Sequence, residues 1–98
     1  MFGSIAKVKL KPGAFEKMFN LTKSNIEARP VKGRVFNAVF RSQTDPDEIW
    51  SVVGFEDEAT YRANASNPQT SEVAEQLKQL MAAPPEWHDG EIVWDKRW

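Results

Sequence analysis

"RVFNAVFRSQTDPDEIWSVVGF", residues 34–55, holds two runs rich in Val, Ile, Phe and Trp, at 34–42 and 48–55, on either side of "QTDPD". β-branched and aromatic residues favour strands, while Pro and Asp favour a turn, so the stretch predicts an antiparallel hairpin. Alternation then sorts its side chains. Phe36, Ala38 and Phe40 point one way and Val35, Asn37 and Val39 the other; Ile49, Val53 and Phe55 oppose Trp50, Val52 and Gly54. Both faces are largely apolar. Helices packed on one side hide only one face of an antiparallel sheet. The second apolar face therefore predicts a partner surface, which a two-fold homodimer packing sheet on sheet would bury.

Upstream of the hairpin, Ile5, Val8 and Leu10 mark a first strand over 2–10 that stops at Pro12-Gly13. Phe15, Met18, Phe19, Thr22 and Ile26 then recur at helical spacing until Arg29-Pro30. Downstream, the acidic "EDE" (56–58) opens a short helix through Tyr61 and Ala65, since carboxylates suit the positive end of a helix dipole. A second helix restarts at "SNPQ", where Ser66 and Gln69 fit a capping box and Pro68 suits the first turn; Val73, Leu77, Leu80 and Met81 form its apolar stripe. "PPEWHDG" (84–90) reads as a stiff hinge, and "EIVWDKRW" (91–98) as the last strand by its alternation. The order β-α-β-β-α-β, with the second helix broken in two, predicts an α+β, ferredoxin-like fold with a four-stranded antiparallel sheet. Residues 1–98 read as a single domain.

Composition narrows the function. Thirteen Lys and Arg nearly balance 14 Asp and Glu, so the net charge of −1 creates no field to gather nucleic acid or anionic membrane. The third strand also lacks the basic and aromatic motif of an RNA-binding module of similar topology. No run approaches the roughly 20 apolar residues that span a bilayer, and "MFGSIAKVKL" has no apolar core of a signal peptide; a cytoplasmic location is the expectation. Zero Cys and one His exclude thiolate chemistry, Cys-ligated zinc and iron–sulfur clusters, and argue against a built-in metal site.

Few residues remain that could carry chemistry. His88 is either a loop residue bonded to nearby backbone or a proton acceptor. Asn37 interrupts an apolar strand face, so its amide is either satisfied there or across a dimer, or meets water or a ligand. Trp50 carries an indole donor that could line the same space as Asn37. Tyr61 and Asn64 lie three apart on one helix, where they could face one site or, for Tyr61, serve packing. Trp87 and Trp94 read as core or interface anchors, or as walls of an aromatic pocket.

With these features assembled, "GFEDEATYRANASNPQ" (54–69) and "LMAAPPEWHDGEIV" (80–93), set in the βαββαβ order, resemble the antibiotic-biosynthesis monooxygenase domain of the dimeric α/β-barrel superfamily over nearly the whole chain. The resemblance implies a homodimer whose two sheets form a barrel, with a small apolar pocket per subunit between sheet and helices. It also implies oxidation of a small aromatic, such as a quinol or anthrone, by O2 with no metal or other cofactor. Such chemistry needs apolar walls, donors for a forming oxyanion and a proton acceptor. The candidates are Phe36, Phe40, Val52 and Phe55 as walls, Asn37, Trp50, Tyr61 and Asn64 as donors, and His88 as acceptor, with His88, Asn37 and Trp50 expected to be catalytic. The haem-degrading branch of this fold uses a His on the helix after the third strand; "DEATYRANASN" has none. The competing expectation is a non-catalytic dimer that binds a small hydrophobic molecule, as a regulator would.

Overall fold

A computed structural model describes residues 1–98. Strand β1 (Phe2–Lys9) is built on strict alternation: Ser4, Ala6 and Val8 are buried on one side, while Ile5, Lys7 and Lys9 face the other. It is a central strand, paired antiparallel to β3 (Glu48–Phe55) on one edge and to β4 (Glu86–Glu91) on the other. β2 (Arg34–Arg41) completes the hairpin with β3, so the sheet order is β2-β3-β1-β4. The α+β, ferredoxin-like architecture expected from the sequence is thus observed.

Three helices cover one face. α1 (Phe15–Ala28) ends at Arg29, whose extended backbone is the conformation a following proline imposes. α2 (Glu58–Ala65) is capped by Asp57, whose side chain accepts from the Thr60 amide at 2.8 Å. α3 (Pro68–Lys78) begins one residue later than the expected cap: Asn67, not Ser66, accepts from the Gln69 amide, and the Ser66 hydroxyl bonds back to Arg62 O. The apolar stripe outlasts that helix, because Leu80 and Met81 lie beyond Lys78 yet still pack on the core. The core comprises Ala6, Val8, Leu10, Met18 and Ile49, with Phe55 buried at the opposite end of the same sheet face. Only nine of 98 residues are buried, so this chain encloses a small core.

The largest departure lies in β4. The strand is Glu86–Glu91, and the segment expected to carry it, Ile92 to Trp98, is not a strand. Asp89-Gly90 is therefore not a turn, and only Pro84 and Pro85 keep the hinge role. β4 follows the backbone hydrogen bonds offered by β1; being an edge strand exposed on both faces, it has no hydrophobic alternation to reveal it. Beyond it the Ile92 amide donates to Met1 O at 2.8 Å. The tail then crosses the uncovered face: Ile92 lies against Gly3, and the Arg97 guanidinium stands 5.5 Å over the Phe36 ring.

Candidate functional site

Strand register decides which of the expected residues meet. A bulge at Val35 lets Arg34 pair with Phe55 and Phe36 with Gly54, which puts Phe36, Ala38 and Phe40 on the same face as Gly54, Val52 and Trp50. Ile5 pairs with both Val52 and His88, so His88 shares that face too. The uncovered face therefore carries His88, Trp50, Phe36, Phe40 and Val52 in three rows across the strands. One row runs Glu86, Lys7, Trp50, Phe40; the next His88, Ile5, Val52, Ala38; the third Gly90, Gly3, Gly54, Phe36. His88 sits in a strand rather than a loop, its Nε2 2.9 Å from Glu86 Oε1. Pairing there leaves Nδ1 as the free ring nitrogen.

The other four expected residues lie on the helix side. Asn37 pairs with Val53, opposite in face to Trp50, so the two do not line one space; Asn37 is exposed, and no buried amide needs satisfying. Phe55 is fully buried on the helix side and walls no cavity together with Phe36, Phe40 and Val52. Tyr61 and Asn64 diverge around α2. Asn64 accepts from Thr70 at 3.2 Å, while Tyr61 turns toward β1 and β4. Trp87 and Trp94 are exposed by 61% and 74%, which removes them from the core of this chain.

Where Tyr61 points, four polar groups converge. Asp89, on the helix side of β4 opposite Ser4, accepts from Ser4 Oγ at 2.7 Å, from the Tyr61 hydroxyl at 3.0 Å and from Arg62 Nη1 at 3.2 Å. Ser4 is buried in β1. Tyr61 is clamped between two rings, tilted against Phe2 at 5.2 Å and edge-on to Phe55 at 5.6 Å, and the Arg62 guanidinium stands 5.3 Å over Phe2. Three donors, the Ser4 hydroxyl foremost, hold the Asp89 carboxyl below its ordinary pKa. Burial, reinforced by Asp89, raises the Tyr61 phenol, so it remains a donor at neutral pH. Arg62 spends one nitrogen on Asp89 and its Nε on Glu58 at 3.4 Å, and stays half exposed. The arrangement is a fixed anion that orients a phenol and a guanidinium beside aromatic rings. Arg62 can donate to an oxyanion with its remaining N–H groups, the Tyr61 proton being spent on Asp89, and Asp89 is not a ready base.

Sequence reasoning missed Ser4, Arg62 and Asp89. Ser4 and Asp89 are 85 residues apart, and Asp89 sat in what reads as a turn. No cluster of three or more His, Asp or Glu could hold a metal ion, and no helix is long and apolar enough to cross a membrane.

The sequence matches no protein-family model and no curated protein. Solved structures do match in shape. The chain is similar to a structure named antibiotic biosynthesis monooxygenase, at 17% identity and a TM-score of 0.79, over 95% of this chain and 99% of that one. It is similar to an alanine variant of SnoaB, a cofactor-independent oxygenase from Streptomyces nogalater, at 17% identity and a TM-score of 0.77, over 96% and 94% of the two chains. A conserved protein from Methanosarcina mazei Go1 matches at 20% identity and a TM-score of 0.81, over 91% of this chain and 89% of that one. The resemblance read from the sequence thus holds as a likeness of architecture: this chain has the α+β fold of structures named antibiotic biosynthesis monooxygenases.

Proposed function

We propose that this protein is a cofactor-independent monooxygenase that oxidises a small electron-rich aromatic, a quinol or an anthrone, with O2, and works as a homodimer. The observation that carries the proposal is the convergence of Tyr61 and Arg62 on Asp89 beside the Phe2 ring. Such a substrate reacts with O2 once it has lost a proton, because its anion is the electron donor. An anthrone takes up O2 and leaves as the quinone plus water; a quinol leaves as a hydroxyquinone plus water. In each case both substrate electrons that reduce the second oxygen atom come from the aromatic itself, so no external reductant is needed.

The protein's part is to stabilise the anion. Arg62 has guanidinium N–H groups beyond those used by Asp89 and Glu58 to offer that anion, while Tyr61, whose one hydroxyl proton goes to Asp89, has a free lone pair that can accept the proton the substrate gives up. As a substrate hydroxyl gives its proton to Tyr61, Tyr61 can pass its own to Asp89, which avoids a free tyrosinate. Asp89 is too well solvated by donors to keep that proton, so it returns to solvent. The uncovered apolar face is where the second copy packs, and the His88–Glu86 pair with Trp50 would then lie between the two sheets. SnoaB's description as a cofactor-independent oxygenase supports the same chemistry on this fold.

O2 uptake by the chelator-treated protein, with a panel of quinols and anthrones, tests the reading. Turnover is expected without added cofactor, and Tyr61→Phe and Arg62→Gln should each lower kcat/KM by about 10–100-fold while the fold persists. His88→Ala and Asn37→Ala report on the sites expected from sequence. A loss confined to His88→Ala would move the chemistry to the other face. No uptake across the panel would leave the alternative, a dimeric binder of small hydrophobic molecules, which the lack of a ready base beside Tyr61 favours.

A further inference from the structure

On the far side of α2 from Tyr61, the turn between α1 and β2 and the corner between α2 and α3 enclose a cleft of about 200 Å³. Its polar lining is Arg29, Lys32, Thr60, Asn64, Asn67 and Gln69; no carboxylate takes part. Neither cation is held in an ion pair, for none of the chain's ion pairs involves Arg29, Lys32 or the neighbouring Arg34, and Lys32 has only the field of Asp57 nearby. Arg34 gives its Nη2 to the carbonyls of Ile26 and Arg29. Burial foremost, and then the neighbouring charge of Arg29, lowers the Arg34 pKa. The closest carboxylate in influence, Asp57, is committed to Thr60 through the amide at 2.8 Å and the hydroxyl at 3.0 Å.

The donors are also oriented. Arg29 Nη2 donates to Thr70 Oγ1 at 3.2 Å, which leaves the rest of the guanidinium fork free. Thr70 Oγ1 in turn donates to Asn64 Oδ1 at 3.2 Å, so the Asn64 carbonyl is engaged and its amide N–H groups are unpaired. The first turn of α3 contributes little, since the Gln69 amide is already bound to Asn67 Oδ1. Gly33, at φ +82°, holds the turn so close to α2 that a Cβ there would fall 2.6 Å from Thr60, which fixes the cleft's two walls against each other.

We propose that this cleft is a binding site for a small oxyanion, with Arg29 and Lys32 supplying the charge and Asn64 a neutral donor. A guanidinium fork beside an ammonium matches the oxygens of a phosphate or a carboxylate, and the cleft has room for a ligand a few heavy atoms larger than either. The site is separate from the Tyr61–Arg62 cluster and stands whether or not the protein is an oxygenase.

Amide NMR spectra of the full-length protein, titrated at constant ionic strength with sodium phosphate or sodium benzoate in place of chloride, test it. Saturable shifts confined to residues 29–33 and 60–70 are expected with at least one of the two; phosphate alone identifies a phosphate site, benzoate alone an aromatic carboxylate site. Arg29→Gln and Lys32→Gln should each weaken binding about tenfold, and Arg29→Lys should weaken it less than Arg29→Gln. Dispersed spectra of the variants confirm that the fold is kept. Shifts that grow linearly with both anions, or binding unchanged in the Arg29→Gln/Lys32→Gln double variant, would overturn the site.

Discussion

The two faces of this sheet are made from similar residues and have opposite fates. On the helix side, Ala6, Val8, Ile49 and Phe55 are each exposed by no more than 6%, and the Asp89 carboxylate is held by three donors. On the other side, Ile5 is 44% and Phe40 65% exposed, although they stand on the same strands or their direct neighbours. Strand propensity treats these positions alike. What separates them is cover: three helices on one side, and on the other only the tail that follows β4. Apolar content tells which residues can be buried, and the partner layer decides which ones are.

The strongest way to break that contrast is to remove one phenylalanine from each side. Phe55→Ala empties a fully buried site and should cost about 3–5 kcal/mol in urea unfolding, enough to threaten so small a core. Phe40→Ala removes an exposed ring and should cost no more than about 0.5 kcal/mol in a monomer. If a second copy covers the open face, the Phe40→Ala cost should instead grow as protein concentration rises, because the variant gives up association rather than folding. Sedimentation of both proteins across a hundredfold dilution series reads the difference. Equal, concentration-independent losses at the two positions would erase the contrast between the faces.

The glycine row of the open face gives a subtler comparison. At Gly54 a Cβ would sit 2.3 Å from the Phe36 ring, which closes over the glycine; at Gly90, two strands away in the same row, nothing lies within 4 Å. Gly54→Ala should therefore cost about 1–3 kcal/mol as Phe36 is driven off the sheet, whereas Gly90→Ala should stay within about 0.5 kcal/mol. Thermal unfolding at low concentration resolves the pair. A costly Gly90→Ala would mean that something rests on that end of the row.

Much of this was legible in the sequence, and the limits have physical causes. The hairpin at 34–55 showed its strands because β-branched and aromatic residues are dense there, and α1 showed its face because Met18 is buried on a stripe. β4 was misplaced because "EWHDGE" is exposed throughout and carries no burial pattern, while Ile92, Val93 and Trp94 imitate one. Per-strand alternation was also right without fixing the site. Which half of β2 shares a face with which half of β3 depends on the register after the Ser42–Asp47 loop and on the bulge at Val35, and neither is written in local propensity. That register separates Asn37 from Trp50 and Phe55 from Phe36. The Ser4–Asp89 contact needed both ends of the chain to be paired first.

Two adjacent residues of β4 carry the comparison down to a single peptide bond. Asp89 faces the helices with its side chain 33% exposed, and His88 faces away, 57% exposed and paired with Glu86. Asp89→Asn keeps the shape but removes the charge that three donors address. After allowance for its partial exposure it should cost about 1 kcal/mol at pH 7. His88→Ala breaks an exposed pair and should cost no more than about 0.5 kcal/mol. The pH dependence separates charge from packing. Because the folded state lowers the Asp89 pKa, its contribution is complete above the unfolded value of about 3.9 and fades as pH falls through the folded one. The stability gap between wild type and Asp89→Asn should therefore be constant from pH 7 to pH 5 and close below pH 3.9, as protonation makes the two side chains equally neutral. A gap that persists unchanged into acid would show that Asp89 fixes Tyr61 and Arg62 by shape alone, and would remove the fixed anion from which their orientation toward an oxyanion follows.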